Sequence, residues 1–298
     1  MILESWRTRV GTALFLRVAG PDGLESRERI HGTPGPRWFA PDAAIRRVHG
    51  DASMFVGGLR ALLLQSLHPA AMAGVAGHSG YRGDPWGRLA RTSTFLAVTA
   101  FGTADDAQAA VDRVRAVHAR VRGRTPDGVP YRADDPELLR WVHVAEVDSF
   151  LRAHQQFGRR PLDAAGADAY LRDAAVVGRA LGADDLPETV PDLAAALEGF
   201  RPALAAGEQA RDTARFLLDE PPVPSAMRAG YALLSGAAVA TLPAWAVEEL
   251  GLRRVGRVRR AAATAGGHVV TRGIRFVLGP DDARRVSRDR DAPAPSRT

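Results

Sequence analysis

The chain has 298 residues, a formal net charge of +6 and 46% hydrophobic residues, which suits one compact domain with a sizeable core. It contains no cysteine, so disulfides, iron–sulfur clusters, thiolate-ligated haem and cysteine nucleophiles are excluded. It also contains no lysine, which excludes Schiff-base chemistry on a lysine side chain. Because the composition is biased towards Ala, Gly and Arg as GC-rich coding would produce, we do not read the basic charge as nucleic-acid binding.

The amino-terminal region carries no recognisable targeting signal. Charged residues interrupt its short apolar pieces, so it lacks the long apolar run and cleavage site of a signal peptide. Residues 20–45 are rich in Pro and Gly and predict a surface arm. The most apolar later stretch, 231–243, is too short to span a bilayer. We therefore expect no transmembrane segment and a cytoplasmic protein.

The hydrophobic periodicity is helical nearly throughout and predicts an all-α fold, with a single multi-helix domain over residues 1–283. The Gly-rich stretch 74–83 predicts a loop. The segments 268–270 and 275–278 fit a short hairpin or a loop, and the charged, Pro-rich residues 284–298 predict a disordered tail. Capping residues and prolines place the longer helices: 51–65, 85–101, 104–122, 135–157, 165–181, 189–218 and 225–250.

His118 lies in the middle of the apolar face of the helix predicted at 104–122, at about 100° per residue. Arg115 and Arg122 border the same face, three residues before it and four after. A neutral imidazole in an apolar space can hold haem iron, and guanidinium groups pair with the haem carboxylates. The alternative is a buried structural histidine beside two surface arginines, and periodicity alone favours that alternative.

Three further groups of polar residues are candidates. Arg88, Arg91 and Thr92 share one side of the preceding helix, where they would either line an anion or oxygen site or form a solvated face. His143 lies on an apolar face of the helix at 135–157, as a core histidine or a second ligand. His78 ends the Gly-rich stretch and could reach a pocket.

Other motifs are missing or carry little signal. The sequence has no phosphate-binding loop, no Gly-x-Ser-x-Gly elbow and no His-Glu-x-x-His zinc motif. The arginines of residues 253–260 fit a solvated basic helix end or, alternatively, a peripheral contact with an acidic membrane surface.

The segment from Arg47 to Phe157 resembles the oxygenase family that includes MpaB-type enzymes and the bacterial latex-clearing proteins, which are rubber oxygenases. The resemblance covers about a third of the chain directly, and its motifs occur in the family's order. They are HGD at 49–51, GLRALLLQSLHPAAMAGVAGHS at 58–79, GRLARTSTFLAVTAFG at 87–102, RAVHARVR at 115–122 and DPELLRWVHVAEVDSFL at 135–151.

The resemblance implies a globin-related helical core that binds haem b. Its iron would be held by the histidine of an Arg-x-x-His-x-x-x-Arg pattern, which here matches Arg115, His118 and Arg122. The resemblance therefore reverses the preference that periodicity gives. It makes His118 the expected metal ligand and the two arginines, with His143, expected cofactor-binding residues.

A second family pattern, Arg-x-x-Lys-Thr, matches Arg88, Arg91 and Thr92, with arginine in place of the lysine. With His78, these residues are the expected catalytic group on the far side of the haem. The rubber oxygenases also use a glutamate upstream of this motif, yet residues 68–83 contain no carboxylate. Both departures argue against polyisoprene cleavage by the same mechanism.

The sequence thus predicts a haem-dependent oxygenase or peroxygenase acting on a small apolar or isoprenoid-like substrate. Dioxygen or peroxide would be the oxidant, and an electron donor stays open as a partner. Two alternatives remain at this point. One is a haem protein without turnover, a sensor or carrier. The other is a non-haem helical protein that binds a hydrophobic ligand.

Overall fold

Fourteen α-helices contain most of the residues that this computed structural model describes, which are 2–78, 82–253 and 256–279. A short antiparallel hairpin, β1 (Arg122–Arg124) with β2 (Pro130–Arg132), is the only sheet within those ranges. The predicted all-α, single-domain fold is therefore confirmed. The helices are α1 (Ile2–Ala19), α2 (Gly23–Gly32), α3 (Ala44–His49), α4 (Met54–Gln65), α5 (Pro69–His78), α6 (Pro85–Phe101), α7 (Ala104–His118), α8 (Pro136–Phe157), α9 (Ala164–Leu181), α10 (Val190–Phe200), α11 (Glu208–Leu218), α12 (Arg228–Thr241), α13 (Ala244–Glu249) and α14 (Arg257–Leu278).

The helices that carry the candidate residues begin at side-chain caps. The Asp84 carboxylate accepts a hydrogen bond from the Gly87 amide at the start of α6, and the Thr103 hydroxyl accepts one from the Asp106 amide at the start of α7. Asp135 does the same at α8. These caps occupy amide groups that a helix terminus would otherwise leave unpaired. They explain why the predicted starts of these three helices agree with the structure.

Helix α8 lies in the middle of the core and packs most closely on α4. The approach is close because Gly57 carries no side chain, and a Cβ there would lie 2.7 Å from Phe150 Cδ1. Trp141, which is fully buried, donates from Nε1 to the Gln65 carbonyl at 3.2 Å. Helix α9 covers a second side of α8, and α12 and α14 pack together nearby.

Several predicted boundaries were wrong. Helix α7 ends at His118, not at residue 122, and the chain continues into the β1–β2 hairpin. The turn between the two strands contains Gly128, whose φ of +88° favours glycine. Arg122 therefore lies on a strand and does not share a helix with His118. The predicted loop at 74–83 is helical as far as His78.

The remaining differences concern the chain ends and the long helices. The predicted arm at 20–45 contains α2, and the segments 268–270 and 275–278 lie inside α14. The predicted helices at 189–218 and 225–250 are each divided in two, the second at Pro243. The predicted tail, 284–298, lies outside the described residues. Within those residues, none of the helices combines the length and the apolar character needed to cross a membrane.

Candidate functional site

The α6–α7 hairpin carries two of the predicted motifs on two helices that contact each other. The two helices pack together and are joined only by Gly102 and Thr103. Arg88 lies about 14 residues before this connection and His118 about 15 residues after it, which at about 1.5 Å per residue is roughly 20 Å in each case. Along their helices, the two residues are thus about equally far from the connection.

His118, the last residue of α7, has the chemical state that metal binding requires. Its ring is half-buried, and Nδ1 is buried without a hydrogen-bond partner in the described chain. Burial lowers the pKa of His118, and the nearby Asp134 carboxylate only partly opposes this. The imidazole is thus neutral at pH 7, with a ring nitrogen that the protein itself leaves unused.

Two guanidinium groups next to His118 lack carboxylate partners. Arg115 donates from Nη1 to the Ala180 carbonyl at 3.2 Å, and Arg122 donates from Nη2 to the Ala119 carbonyl at 3.1 Å. Both side chains are exposed, and neither forms an ion pair with a carboxylate in the described ranges. Both arginines are close to His118 in sequence, and their exposed guanidinium groups are available to an acidic ligand.

The residues predicted for the far side of the haem are only partly brought together. Ser93 on α6 donates to the Val18 carbonyl at 2.9 Å, so this face of α6 lies against α1. At about 100° per residue, Arg88 lies about 140° and Thr92 about 100° from Ser93, so both point away from this contact. Arg88 is half-buried and Thr92 is exposed. Arg91 is exposed and turns towards Asp84, at 3.4 Å, and His78 ends α5 with an exposed ring.

The outer face of α6 has the burial expected of a cleft wall. Helix α6 packs on α1, α2, α3 and α7, whereas within the described chain its backbone approaches α5 and α8 at most marginally. Its apolar residues Phe95, Leu96 and Val98 are half-buried, neither sealed in the core nor open to solvent. We therefore take the outer face of α6 and the end of α7 at His118 as the candidate site.

Glu146 on α8 is a candidate residue that the sequence analysis missed. It follows His143 by three residues, one helical turn. Burial raises the pKa of its carboxyl group to about 7. The carboxyl group forms no hydrogen bond or ion pair in the described part of the chain, yet its side chain is not sealed from solvent. Its one signal in the sequence is a lone carboxylate in the apolar run WVHVAEV.

The surroundings of Glu146 are polar but uncharged. Burial lowers the pKa of His143 to about 4, and its Nε2 has no partner within the described residues. Burial also lowers the pKa of His49 to about 3, and His49 Nε2 lies 3.5 Å from the Tyr170 hydroxyl. Burial and the Glu146 and Asp148 carboxylates raise the pKa of Tyr170 well above its usual value. At neutral pH both histidines and the tyrosine are therefore uncharged.

Gly178 on α9 allows the His143 ring to lie against that helix. A Cβ at this position would lie 2.7 Å from His143 Nδ1 and 2.5 Å from Leu186 Cδ1, closer than real contacts allow. The close approach of the two helices fixes the imidazole of His143 against α9. This packing explains part of the burial that keeps His143 neutral.

A buried ion pair lies on the other side of α8. Arg60 Nη2 lies 2.7 Å from Asp148 Oδ2, and both side chains are almost completely buried. Arg60 also donates to Ser149 Oγ at 2.7 Å and to the Thr241 carbonyl at 3.1 Å. Because these groups belong to α4, α8 and α12, the pair joins three helices and serves structure.

The donor groups do not converge on a protein-only metal centre. Among the described residues, no cluster of three or more His, Asp or Glu side chains could hold a metal ion. His118 is one of five histidines whose buried ring nitrogen has no partner among the described residues, and the exposed Arg115 and Arg122 lie close to it in sequence. That donor set fits a metal whose other ligands come from a macrocycle, which is how haem iron is held.

Comparison with known proteins gives one family match and two relatives. A family model described as "ER-bound oxygenase mpaB/B'/Rubber oxygenase, catalytic domain" matches residues 46–275, which include all the candidate residues. Uncharacterized protein Mb2261 of Mycobacterium bovis and uncharacterized protein Rv2237 of Mycobacterium tuberculosis are each 36% identical to this chain over 97 residues. Those residues are 33% of this chain and span 38% of each relative. No solved structure gives a significant match.

Proposed function

We propose, from the premise that the chain belongs to the family of mpaB and rubber oxygenase catalytic domains, that it is a haem-dependent oxygenase acting on apolar substrates. Membership supports an oxidoreductase of the oxygenase class. The cofactor, its ligand and the substrate class are our proposal. The observation that carries it is the neutral His118, whose buried Nδ1 has no partner, next to two arginines without carboxylate partners.

The residues around His118 fit haem b. A neutral imidazole would hold the iron, and Arg115 and Arg122 would pair with the two propionates, because guanidinium groups bind carboxylates strongly. When bound, the haem would supply the activation of the oxidant. The protein contributes the axial ligand, the charges that orient the macrocycle and the apolar cleft that limits access of water.

Glu146 is the group that we propose gives or takes the proton in the reaction. A carboxyl group whose pKa lies near 7 is populated in both protonation states at neutral pH, which is the condition for general acid–base catalysis. Residues 68–83, where the rubber oxygenases have their glutamate, contain no carboxylate. Glu146 would supply that function from α8 instead.

Arg88 and Thr92 are the donors that we propose stabilise negative charge developing in the cleft. Both point away from the contact of Ser93 with α1, Arg88 half-buried and Thr92 exposed at the mouth of the proposed cleft. Preorganised donors aimed at developing charge contribute more in a cleft from which water is excluded than in solution. The half-buried apolar residues further along α6 favour a small apolar or isoprenoid-like substrate.

The oxidant is dioxygen or peroxide, and the reactions that use them differ in whether they need an electron donor. A dioxygenase needs no electron donor, a monooxygenase consumes two electrons from a donor, and a peroxygenase needs only peroxide. Supplying the haem-loaded protein with each oxidant, with and without a reductant, separates these three reactions by their stoichiometry.

Isotope incorporation tests the proposed function. The haem-loaded protein is incubated under ¹⁸O₂, or with H₂¹⁸O₂, together with a panel of isoprenoid and other apolar alkenes, and the products are analysed by mass spectrometry. We expect labelled product from the wild type and none from His118→Ala. In Glu146→Gln the rate should fall by about 10² to 10⁴, the usual contribution of a general acid or base.

The matched control is Glu137→Gln, which removes an exposed carboxylate from the first turn of the same helix. It should retain the wild-type rate. A haem-loaded protein that gives no labelled product with either oxidant would contradict the oxygenase proposal and favour a sensor or carrier. An unchanged rate in Glu146→Gln would remove this residue from the mechanism.

A further inference from the structure

The outward face of α14 is apolar, which is unusual for a helix at the surface of a protein. Along this helix the exposed positions recur with helical spacing at Val258, Ala262, Ala265, Val269 and Phe276. Val258 is 84% exposed, Val269 60% and Phe276 51%. At about 100° per residue these five side chains fall within a sector of roughly 60°. A surface helix normally presents polar side chains on such a face.

The inward face of α14 already has its partners, so the outward face is a second apolar surface. Gly267 packs against Phe157 and Ala237, and Ile274 and Thr271 are buried. In the described chain the neighbours of α14 are α1, α8 and α12. Trp6 on α1, the helix packed alongside, is also 46% exposed.

The charges on α14 are all of one sign. The helix contains five arginines and no aspartate or glutamate. Four of them are exposed: Arg257, Arg259, Arg260 and Arg272. Arg275 instead donates a hydrogen bond from Nη2 to Asp51 Oδ1 at 2.7 Å. Every residue from 257 to 262 is exposed, so the first turn and a half of the helix stands clear of the core. An apolar stripe flanked by arginines is complementary to a surface that is apolar inside and negatively charged at its edge.

We propose that the outward face of α14 docks on the surface of an anionic lipid bilayer. Val258, Val269 and Phe276 would enter the boundary between headgroups and acyl chains, and the arginines would contact the lipid phosphates. Arg272, which lies close to the stripe, can extend its guanidinium outward while its methylene groups remain at the apolar boundary. A second copy of the chain fits this face less well, because two such helices would bring eight exposed arginines together without a carboxylate on either helix.

Vesicle co-sedimentation tests the proposal with the full chain. The protein is mixed with vesicles of phosphatidylcholine alone and with vesicles that also contain phosphatidylglycerol. We expect binding only to the phosphatidylglycerol vesicles. Since a basic side chain near an anionic surface contributes about fivefold, Arg257→Gln, Arg259→Gln and Arg272→Gln together should reduce the partition coefficient on the order of a hundredfold.

Two further variants distinguish binding through the apolar face of α14 from binding through the overall positive charge. Val269→Asp with Phe276→Ser should abolish binding, and both positions are exposed enough for the domain to keep its fold and melting temperature. Arg113→Gln, Arg120→Gln and Arg172→Gln together remove the same charge from exposed positions elsewhere and should leave most of the binding intact. Absence of binding to phosphatidylglycerol vesicles would overturn the proposal. So would self-association in solution that the Val269→Asp, Phe276→Ser variant abolishes, because the face would then belong to a second copy.

Discussion

At the scale of single residues, burial sets the charge states in the site. It holds His118, His143 and His49 neutral, because the imidazolium form would lose its hydration, and it raises the pKa of Glu146 to about 7 for the same reason. The sequence showed which histidines lie on apolar faces, but it could not show how completely each is enclosed. Glu146 was missed because its significance lies in the absence of a partner, and only the packed structure shows that absence.

The raised pKa of Glu146 predicts a pH-dependent stability. Below pH 4.5 the carboxyl group is protonated in both the folded and the unfolded chain. Between pH 4.5 and about 7 the unfolded chain releases the proton and the folded chain keeps it. The contribution of Glu146 to the free energy of unfolding therefore falls as the pH rises, by about 3 kcal/mol in total, while the histidines whose pKa burial lowers contribute in the opposite direction. In Glu146→Gln this decrease should be missing.

Urea unfolding of the haem-free protein between pH 4.5 and 8 measures this effect. Glu137→Gln serves as the control, since its carboxylate is exposed on the same helix. The wild type and the control should share one pH profile, and between pH 4.5 and 8 the profile of Glu146→Gln should rise relative to theirs by about 3 kcal/mol. If the free energy of unfolding depends on pH in the same way in the wild type and in Glu146→Gln, the Glu146 carboxyl group is solvated in the folded protein.

At the scale of helices, the sequence predicted where most helices begin and was less successful on where they end. A start is encoded locally, by a cap such as Asp84 or Asp135 followed by proline. The end of α7 depends on contacts that are distant in sequence, because the β1–β2 hairpin that follows packs against α5. The extra helix α5 forms despite its two glycines, Gly74 and Gly77, since Met72 and Ala73 are buried against the core.

The ion pair between Arg60 and Asp148 predicts strong coupling among three helices. Arg60→Met leaves the Asp148 carboxylate buried without its main cation, which should reduce the free energy of unfolding by about 3–5 kcal/mol. Adding Asp148→Leu should restore most of this loss, because replacing a whole buried pair by apolar residues is close to neutral. Urea unfolding measures both. A loss below about 1 kcal/mol in the single variant would show that the pair is solvated.

At the scale of the whole molecule, the sequence predicted the fold class and the family, and the structure supplied the arrangement. The all-α domain and the family match over residues 46–275 agree with the sequence analysis. The pairing of α6 with α7, and the packing of α8 on α4 and α9, come from the structure. Helical periodicity assigns residues to faces of single helices, but it cannot show which faces meet.

The most direct test of the account is the absorption spectrum of the haem-loaded protein beside its His118→Ala variant. The account predicts a strong Soret band in the wild type that His118→Ala removes or shifts. His31→Ala, which changes another half-buried histidine stacked on Phe101, should leave the band unchanged. No Soret band after haem addition would contradict the account, as would a band that is the same in His118→Ala and is lost in His143→Ala.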